Sequence, residues 1–252
     1  MIPKNPKNQC KFNKKLFRKI NKIIKNAIII FFISSISITI IYRRINPPIT
    51  NFMTYRLTEQ IFWFKKPILK KNRLKIEDAP SNLIYGMIWW EDQKFLEHFW
   101  FDIQAIQKAY EYNMEMNQTI LWWSTITQQT AKNLFLWPSR SYIRKWLELY
   151  FTLLLETLRS KERILEVYLN IIEFGNWIYW IQAASQYYFN EPISKLTNNQ
   201  IAFLVAILPN PRYYQNNINS IYLKKRENII INSLYKMKWN KDNKVFVREI
   251  KD

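Results

Sequence analysis

The feature that most constrains this chain is an uncharged run from Asn26 to Tyr42, mostly Ile and Phe, bounded by Lys25 and by Arg43 and Arg44. Coiled as a helix it spans about 25 Å, the short end of what a bilayer's hydrocarbon core requires. Basic side chains at its ends can snorkel to the interface and make up the difference. Ahead of it lie Lys4, Lys7, Lys11, Lys14, Lys15, Arg18, Lys19, Lys22 and Lys25 with no acidic residue among them. Strongly basic flanks stay in the cytoplasm, so residues 46–252 are expected outside it. A cleavable signal peptide would continue into a small-residue cleavage site; here Arg43-Arg44 and Pro47-Pro48 follow instead. The expectation is an uncleaved, single-pass anchor with its N-terminus inside. The division that follows is a basic segment at 1–25, an anchor at 26–42, a juxtamembrane segment and linker at 43–80, and one domain at 81–252 with a charged tail.

Net charge narrows the partners. The chain carries 38 Lys+Arg against 19 Asp+Glu, a formal charge of +19, which calls for something anionic: nucleic acid, an acidic membrane surface or a phosphorylated substrate. The anchor argues against nucleic acid. A lone cysteine, Cys10, excludes an internal disulfide framework. With 48% hydrophobic residues the exported part can bury a real core.

That core reads as helical. Ile88, Phe95 and Phe99 recur at helical spacing, as do Ile164, Leu165, Tyr168, Leu169 and Ile172. No run alternates at period two, so a large sheet is not expected. Ile201 to Leu208 reads as a short apolar helix ended by Pro209-Asn210-Pro211. Phe52 to Phe64 fits either an amphipathic stretch in the membrane interface or a first core helix, and Pro67 to Pro80 reads as a polar linker.

Three blocks carry chemistry. In Glu91 to Asp102, helical spacing would put Glu91, Phe95 and His98 on one face, where a carboxylate beside a ring and an imidazole can be tuned for proton abstraction. Ser124 to Asn133 offers hydroxyls, amides and Lys132 on adjacent turns, donors suited to phosphate oxygens and sugar hydroxyls or simply a solvated face. Arg144 and Glu148 stand four apart, as in a routine surface ion pair, ahead of the block Lys161 to Asn170.

The order of these blocks resembles the monofunctional biosynthetic peptidoglycan glycosyltransferases, whose domain is shared with bifunctional penicillin-binding proteins. The family pattern ED-x-x-F-x-x-H-x-G is similar to Glu91 to Trp100, and GGST-x-x-QQ-x-x-KN to Trp122 to Asn133. RK-x-x-E is met at Arg144 to Glu148, K-x-x-IL-x-x-YLN at Lys161 to Asn170, and the Gly/Ala/Tyr-Phe pattern at Gly175 to Phe189. Leu208-Pro209-Asn210-Pro211 matches as well, so the likeness runs from about Leu83 to Tyr214.

The resemblance implies a mainly α, lysozyme-like domain after one transmembrane helix, held on the outer side of a bacterial inner membrane. It implies a polymerase of glycan strands that uses lipid II. Glu91 would be the general base on the acceptor's GlcNAc 4-hydroxyl, which attacks C1 of the terminal MurNAc with inversion and release of undecaprenyl pyrophosphate. Glu148 would be the second carboxylate. Lys132, Arg144 and Lys145 would meet the pyrophosphate, with Ser124, Thr125, Gln129 and Asn133 as neutral donors and Asp92, Phe95 and His98 completing the substrate site. No cofactor is required by this reading; a Mg or Mn ion shared by Glu91, Asp92 and the substrate pyrophosphate stays open. Partners are lipid II, the nascent strand, membrane lipids and other wall-synthesis proteins. Ser233 to Lys236 spells S-x-x-K, but no K-T-G follows, so a transpeptidase is not implied.

Two rival functions are carried alongside: a lysozyme-like hydrolase using Glu91 and Glu148 as a carboxylate pair, and a catalytically decayed membrane scaffold. The second is prompted by glycine usage. The chain has only 2 Gly and 11 Trp, and Trp100, Trp122, Trp123, Trp177 and Trp180 stand where the family pattern has glycine. Trp89 and Trp90 replace small residues, and Trp239 falls near an expected helix-ending glycine; Trp63 and Trp137 need no such account. Either these are genuine tryptophans in a drifting, AT-rich genome, or a UGA codon that the cell reads as glycine is written here as Trp. The clustering at glycine positions favours the second. It predicts UGA codons at Trp122 and Trp123 in the gene; UGG at both would end that account.

Overall fold

The computed structural model describes residues 6–62, 73–98, 124–139 and 141–237, and divides into two units, residues 1–45 and 46–252. Trp63, Phe99, Trp100, Trp122, Trp123 and Trp239 therefore lie outside the described residues.

The first unit is one helix, α1 (Pro6–Ile41), long and apolar enough over Asn13–Ile41 to cross a membrane. It begins well before the apolar run. Pro6 occupies the first helical position, where a missing N–H costs nothing, and no Gly or Pro interrupts the chain from there to Ile41. From Pro6 onward the basic residues and the apolar run share one continuous helix.

In the second unit α2 (Asn51–Phe62) meets the domain along one side. Met53 is buried, and Asn51 Nδ2 donates to the carbonyl of Phe135 at 2.8 Å, so the helix is docked on the domain. The end of the expected linker is docked too. Leu74, Ile76 and Ala79 are buried around a 3-10 turn at Ile76–Asp78, and Asn170 grips both backbone groups of Leu74, at 2.9 and 2.6 Å. Glu166 accepts from the amide of Ile76 at 3.0 Å. Apolar residues hidden among the lysines, invisible as a periodic pattern, account for the difference.

The core is built on α3 (Ser81–Glu91) and α8 (Asn198–Ala206). Leu83 to Ile88 and Ile201 to Ala206 are buried on every side, as expected for helices apolar all round. Both pack against α10 (Ile221–Met237), which turns Leu223, Ile230 and Leu234 inward. Gly86 permits the approach: a Cβ there would sit 3.3 Å from Cδ2 of Leu234. Beside them α4 (Ile126–Phe135) packs on α5 (Tyr142–Leu158) and α6 (Lys161–Leu169). Hydroxyl side chains set where these helices begin. Thr125, Ser141, Ser160 and Thr197 each accept an amide from the first turn of the helix they precede.

The sheet among the described residues is one hairpin, β1 (Glu173–Gly175) with β2 (Ile178–Tyr179), antiparallel, followed by α7 (Ile181–Phe189) and, after α8, by α9 (Pro211–Asn216) on β1. Its glycine, Gly175, leaves no room for a side chain, since a Cβ would lie 2.9 Å from the Tyr188 hydroxyl. The hairpin also holds the backbone anomaly of the fold. Trp177 closes the two-residue turn at φ 68°, and Trp180, buried, precedes α7 at φ 69° and ψ 131°. A positive φ at the second turn residue alone is the type II pattern, which asks for glycine. For a side chain with a Cβ it costs about 1–2 kcal/mol. The two tryptophans described among those at family glycine positions thus sit on glycine's backbone. At each position a Gly variant should exceed the Ala variant in stability by about 1–2 kcal/mol in denaturant unfolding, the reverse of glycine's usual disadvantage; Ala equal to Gly would remove the strain.

Candidate active site

Glu91 is the last residue of α3, and that placement is electrostatically awkward. A helix C-terminus presents unpaired carbonyls and a partial negative charge, which disfavours a carboxylate. The structure surrounds it with donors. Gln129 Nε2 donates to Oε2 at 2.9 Å, and Arg226 Nη2 reaches Oε1 at 3.4 Å. Tyr168, fully buried on α6, has its hydroxyl 3.4 Å from Gln129 Oε1, which leaves the amide nitrogen to Glu91 and to the carbonyl of Ser124 at 3.3 Å. Burial raises the Glu91 carboxyl above the usual glutamate range, while Gln129, Arg226 and Lys132 oppose the rise and neighbouring Asp92 adds to it. A carboxylate in that position is a better base than a solvated one.

The helix stops at Glu91, and this corrects the expected shared face of Glu91, Phe95 and His98. Residues 93–97 form a turn, because Asp92 leaves the helix to serve two other groups. Its oxygens meet His98 Nε2 at 2.8 and 2.9 Å, and Oδ2 accepts from the amide of Ile126 at 3.0 Å. The latter is an orphan donor at the start of α4, so a carboxylate is favoured there. Phe95 is fully buried under the turn. Lys161 closes it, donating to the carbonyl of His98 at 2.8 Å and to Glu156 Oε1 at 2.9 Å, with its ammonium 4.7 Å above the Phe95 ring. Glu156 also accepts from Thr127 at 2.5 Å. Asp92 joins the end of α3 to the start of α4, with His98 and Phe95 braced behind it by Lys161. A cation shared by Glu91 and Asp92 would meet Asp92 oxygens that are already hydrogen-bonded to His98 and Ile126. Among the described residues no group of three or more His, Cys, Asp or Glu side chains could hold a metal.

The remaining expected residues gather on α4 and α5. Thr125 caps α4 through Gln128, Ser124 is half-buried ahead of it, and Gln129, Lys132 and Asn133 follow on one face. On α5 Glu148 is buried and accepts from Arg144 Nη1 and Lys145 Nζ, both at 2.6 Å. The two cations are therefore held by one carboxylate rather than waving in solvent. Arg144 Nε is buried with no hydrogen-bond partner among the described residues. Lys132 lies between the two acidic groups: burial lowers its pKa most, Glu148 raises it, Arg144 and Lys145 lower it, and Glu91 raises it. Among the described residues it forms an ion pair with neither carboxylate, so its ammonium is uncommitted. Sequence reasoning missed Arg226, Tyr168 as the orienter of Gln129, and the Lys161–Glu156 brace. The available signal was a lone arginine at helical spacing from Leu223 and Ile230, on the face α10 buries.

Base, amides and cations thus line up across α3, α4 and α5. The sequence matches the Transglycosylase family over residues 60–235. It is 39% identical over 216 residues to a biosynthetic peptidoglycan transglycosylase of Bdellovibrio bacteriovorus, covering 86% of each chain. A protein of the same name from Haemophilus influenzae (strain KW20 / Rd) is 40% identical over 83% of this chain and 86% of its own. One from Bacteroides thetaiotaomicron is 42% identical over 85% and 86%. The chain belongs to the transglycosylase family, and its fold is the helical, lysozyme-like one that the resemblance implied.

The Asp92–His98 pair gives a check on the site's frame. Asp92→Ala and His98→Ala should each cost about 1–3 kcal/mol of stability, and the double variant less than their sum. Strictly additive losses in denaturant unfolding would mean the two side chains do not act as a pair.

Proposed function

We propose that this chain is a peptidoglycan glycosyltransferase that elongates glycan strands from lipid II at a bacterial inner membrane, with α1 as the anchor and the helical domain on the outer side. The observation that carries the reading is Glu91: a half-buried carboxylate held by Gln129 and within electrostatic reach of Lys132, which also senses the Arg144–Glu148–Lys145 cluster.

In this mechanism the ionised Glu91 takes the proton from the GlcNAc 4-hydroxyl of the acceptor as that oxygen bonds C1 of the strand's terminal MurNAc. The C1–O bond to the undecaprenyl pyrophosphate breaks on the opposite face, so the α-linked donor becomes a β-1,4 linkage. Negative charge grows on the departing pyrophosphate, and cations fixed in advance lower the barrier because they need not reorganise. Lys132 and Arg144 supply that charge; Lys145 adds to it, and Thr125, Asn133 and Ser124 are the neutral donors nearby. Glu148 keeps the cations apart and oriented. Both its oxygens face them and not a glycosidic oxygen, which speaks against the paired-carboxylate hydrolase. Holding the domain at the bilayer by α1 keeps it where lipid-linked substrates are concentrated.

Purified full-length protein in detergent, incubated with lipid II, should yield long glycan strands; release of fragments from finished wall instead would support a hydrolase. Glu91→Gln should lower polymerisation by about 10²–10⁴-fold with the fold intact, and Lys132→Ala by about 10²–10³-fold. Because burial raises the Glu91 pKa, the rate should fall on acidification at a pH above that of an ordinary glutamate. A Glu91→Gln enzyme of undiminished rate would overturn the assignment.

A further inference from the structure

Arg226 is far from every block that suggested the chemistry, 135 residues beyond Glu91. It stands three residues after Leu223 and four before Ile230, on the face of α10 that packs against α3 and α8. A guanidinium on a buried face is costly unless it meets an acid or a π-system. Here it meets both: Nη2 is 3.4 Å from Glu91 Oε1, and Cζ lies 4.7 Å over the ring of Trp90. Gln129 holds the other oxygen of the same carboxylate from the opposite helix.

We propose that Arg226 is a positioning residue for glycosyl transfer, holding one oxygen of Glu91 while Gln129 holds the other, so that the carboxylate meets the acceptor hydroxyl ionised and in a fixed orientation. The proposal rests on Glu91 being the base. The charged and titratable groups facing that carboxylate are Asp92 beside it, Lys132 from α4, Tyr168 from α6 and Arg226 from α10. Asp92 and burial push proton affinity up, and Asp92 is already turned to His98 and Ile126. Lys132 lies on the side of the Glu148 cluster and is the cation assigned to the leaving group. Arg226 is the cation in direct contact. Burial works against the guanidinium's charge, and Glu91, Tyr222 and Tyr214 beside it oppose that loss.

The sign follows directly. Without Arg226 the carboxylate holds its proton to higher pH, and the fraction of working base at lower pH falls. Full-length Arg226→Met and Arg226→Lys proteins would be assayed on lipid II across pH, with thermal unfolding measured on each. Arg226→Met should move the acid limb of the kcat profile to higher pH. Below the limb the deficit should be about tenfold for each pH unit that the limb moves, and it should close as pH rises. KM for lipid II should change little, and Arg226→Lys should restore part of the limb; if Arg226→Met does not fold, the limb of Arg226→Lys, lying above that of the parent enzyme, serves as the test. A loss equal at every pH would overturn the proposal, as would a raised KM at unchanged kcat, the mark of a substrate-phosphate ligand. So would an acid limb that stays in place. Glu91→Gln run in parallel separates the two levels: inactivity at all pH keeps Glu91 as base whatever Arg226 does, while an active Glu91→Gln enzyme removes the base reading itself.

Discussion

A carboxylate at the wrong end of a helix organises this domain. Glu91 closes α3 where carbonyl dipoles already concentrate negative charge, and three other helices supply what it lacks: α4 gives an amide and a cation, α10 a guanidinium, and α6 the tyrosine that aims the amide. Helices far apart in sequence are thus committed to one point. The adjoining Asp92 makes the same commitment from the turn, reaching the first amide of α4. Moving any of these helices by a turn would strand a buried charge, so the geometry of the base and the packing of the core are specified together.

The cationic side of the site follows a different logic. Glu148 accepts from both Arg144 and Lys145, leaving that fork with a net positive charge, and Lys132 sits between the fork and the base without bonding to either carboxylate. Charges held by hydrogen bonds need no rearrangement when a polyanion arrives, whereas solvated lysines on a mobile surface would. One acid therefore acts on a proton and the other on cations. That split distinguishes this site from a pair of carboxylates flanking a glycosidic bond.

Much of this was legible beforehand. Apolar runs gave α1 and the core helices α3 and α8, and the Arg144–Glu148 spacing gave the ion pair. What escaped depended on contacts between distant segments. Nothing local says that α3 ends at Glu91, because the signal is Asp92 bonding to Ile126 beyond a long intervening segment. Helical periodicity carried the pattern past that point and put Phe95 and His98 on a face that does not exist. Leu74 and Ile76 looked like linker because their partners, Asn170 and Glu166, are some ninety residues away. Arg226 looked like one more cation in a basic chain, and only the packing of α10 on α3 gives it a counterpart.

The hairpin bears on how the protein is handled. Residue 177 sets the turn from β1 into β2 and residue 180 the exit from β2 to α7, and both bear indoles at a positive φ that favours glycine. On the reading that the native cell inserts glycine there, an unaltered gene in a laboratory host of standard genetic code would stop at the first reassigned codon, giving the intact anchor with only the start of the domain. A synthetic gene written with tryptophan codons would instead give a full-length relative with a strained hairpin. Recoding those triplets to glycine is then the route to the molecule that the cell assembles.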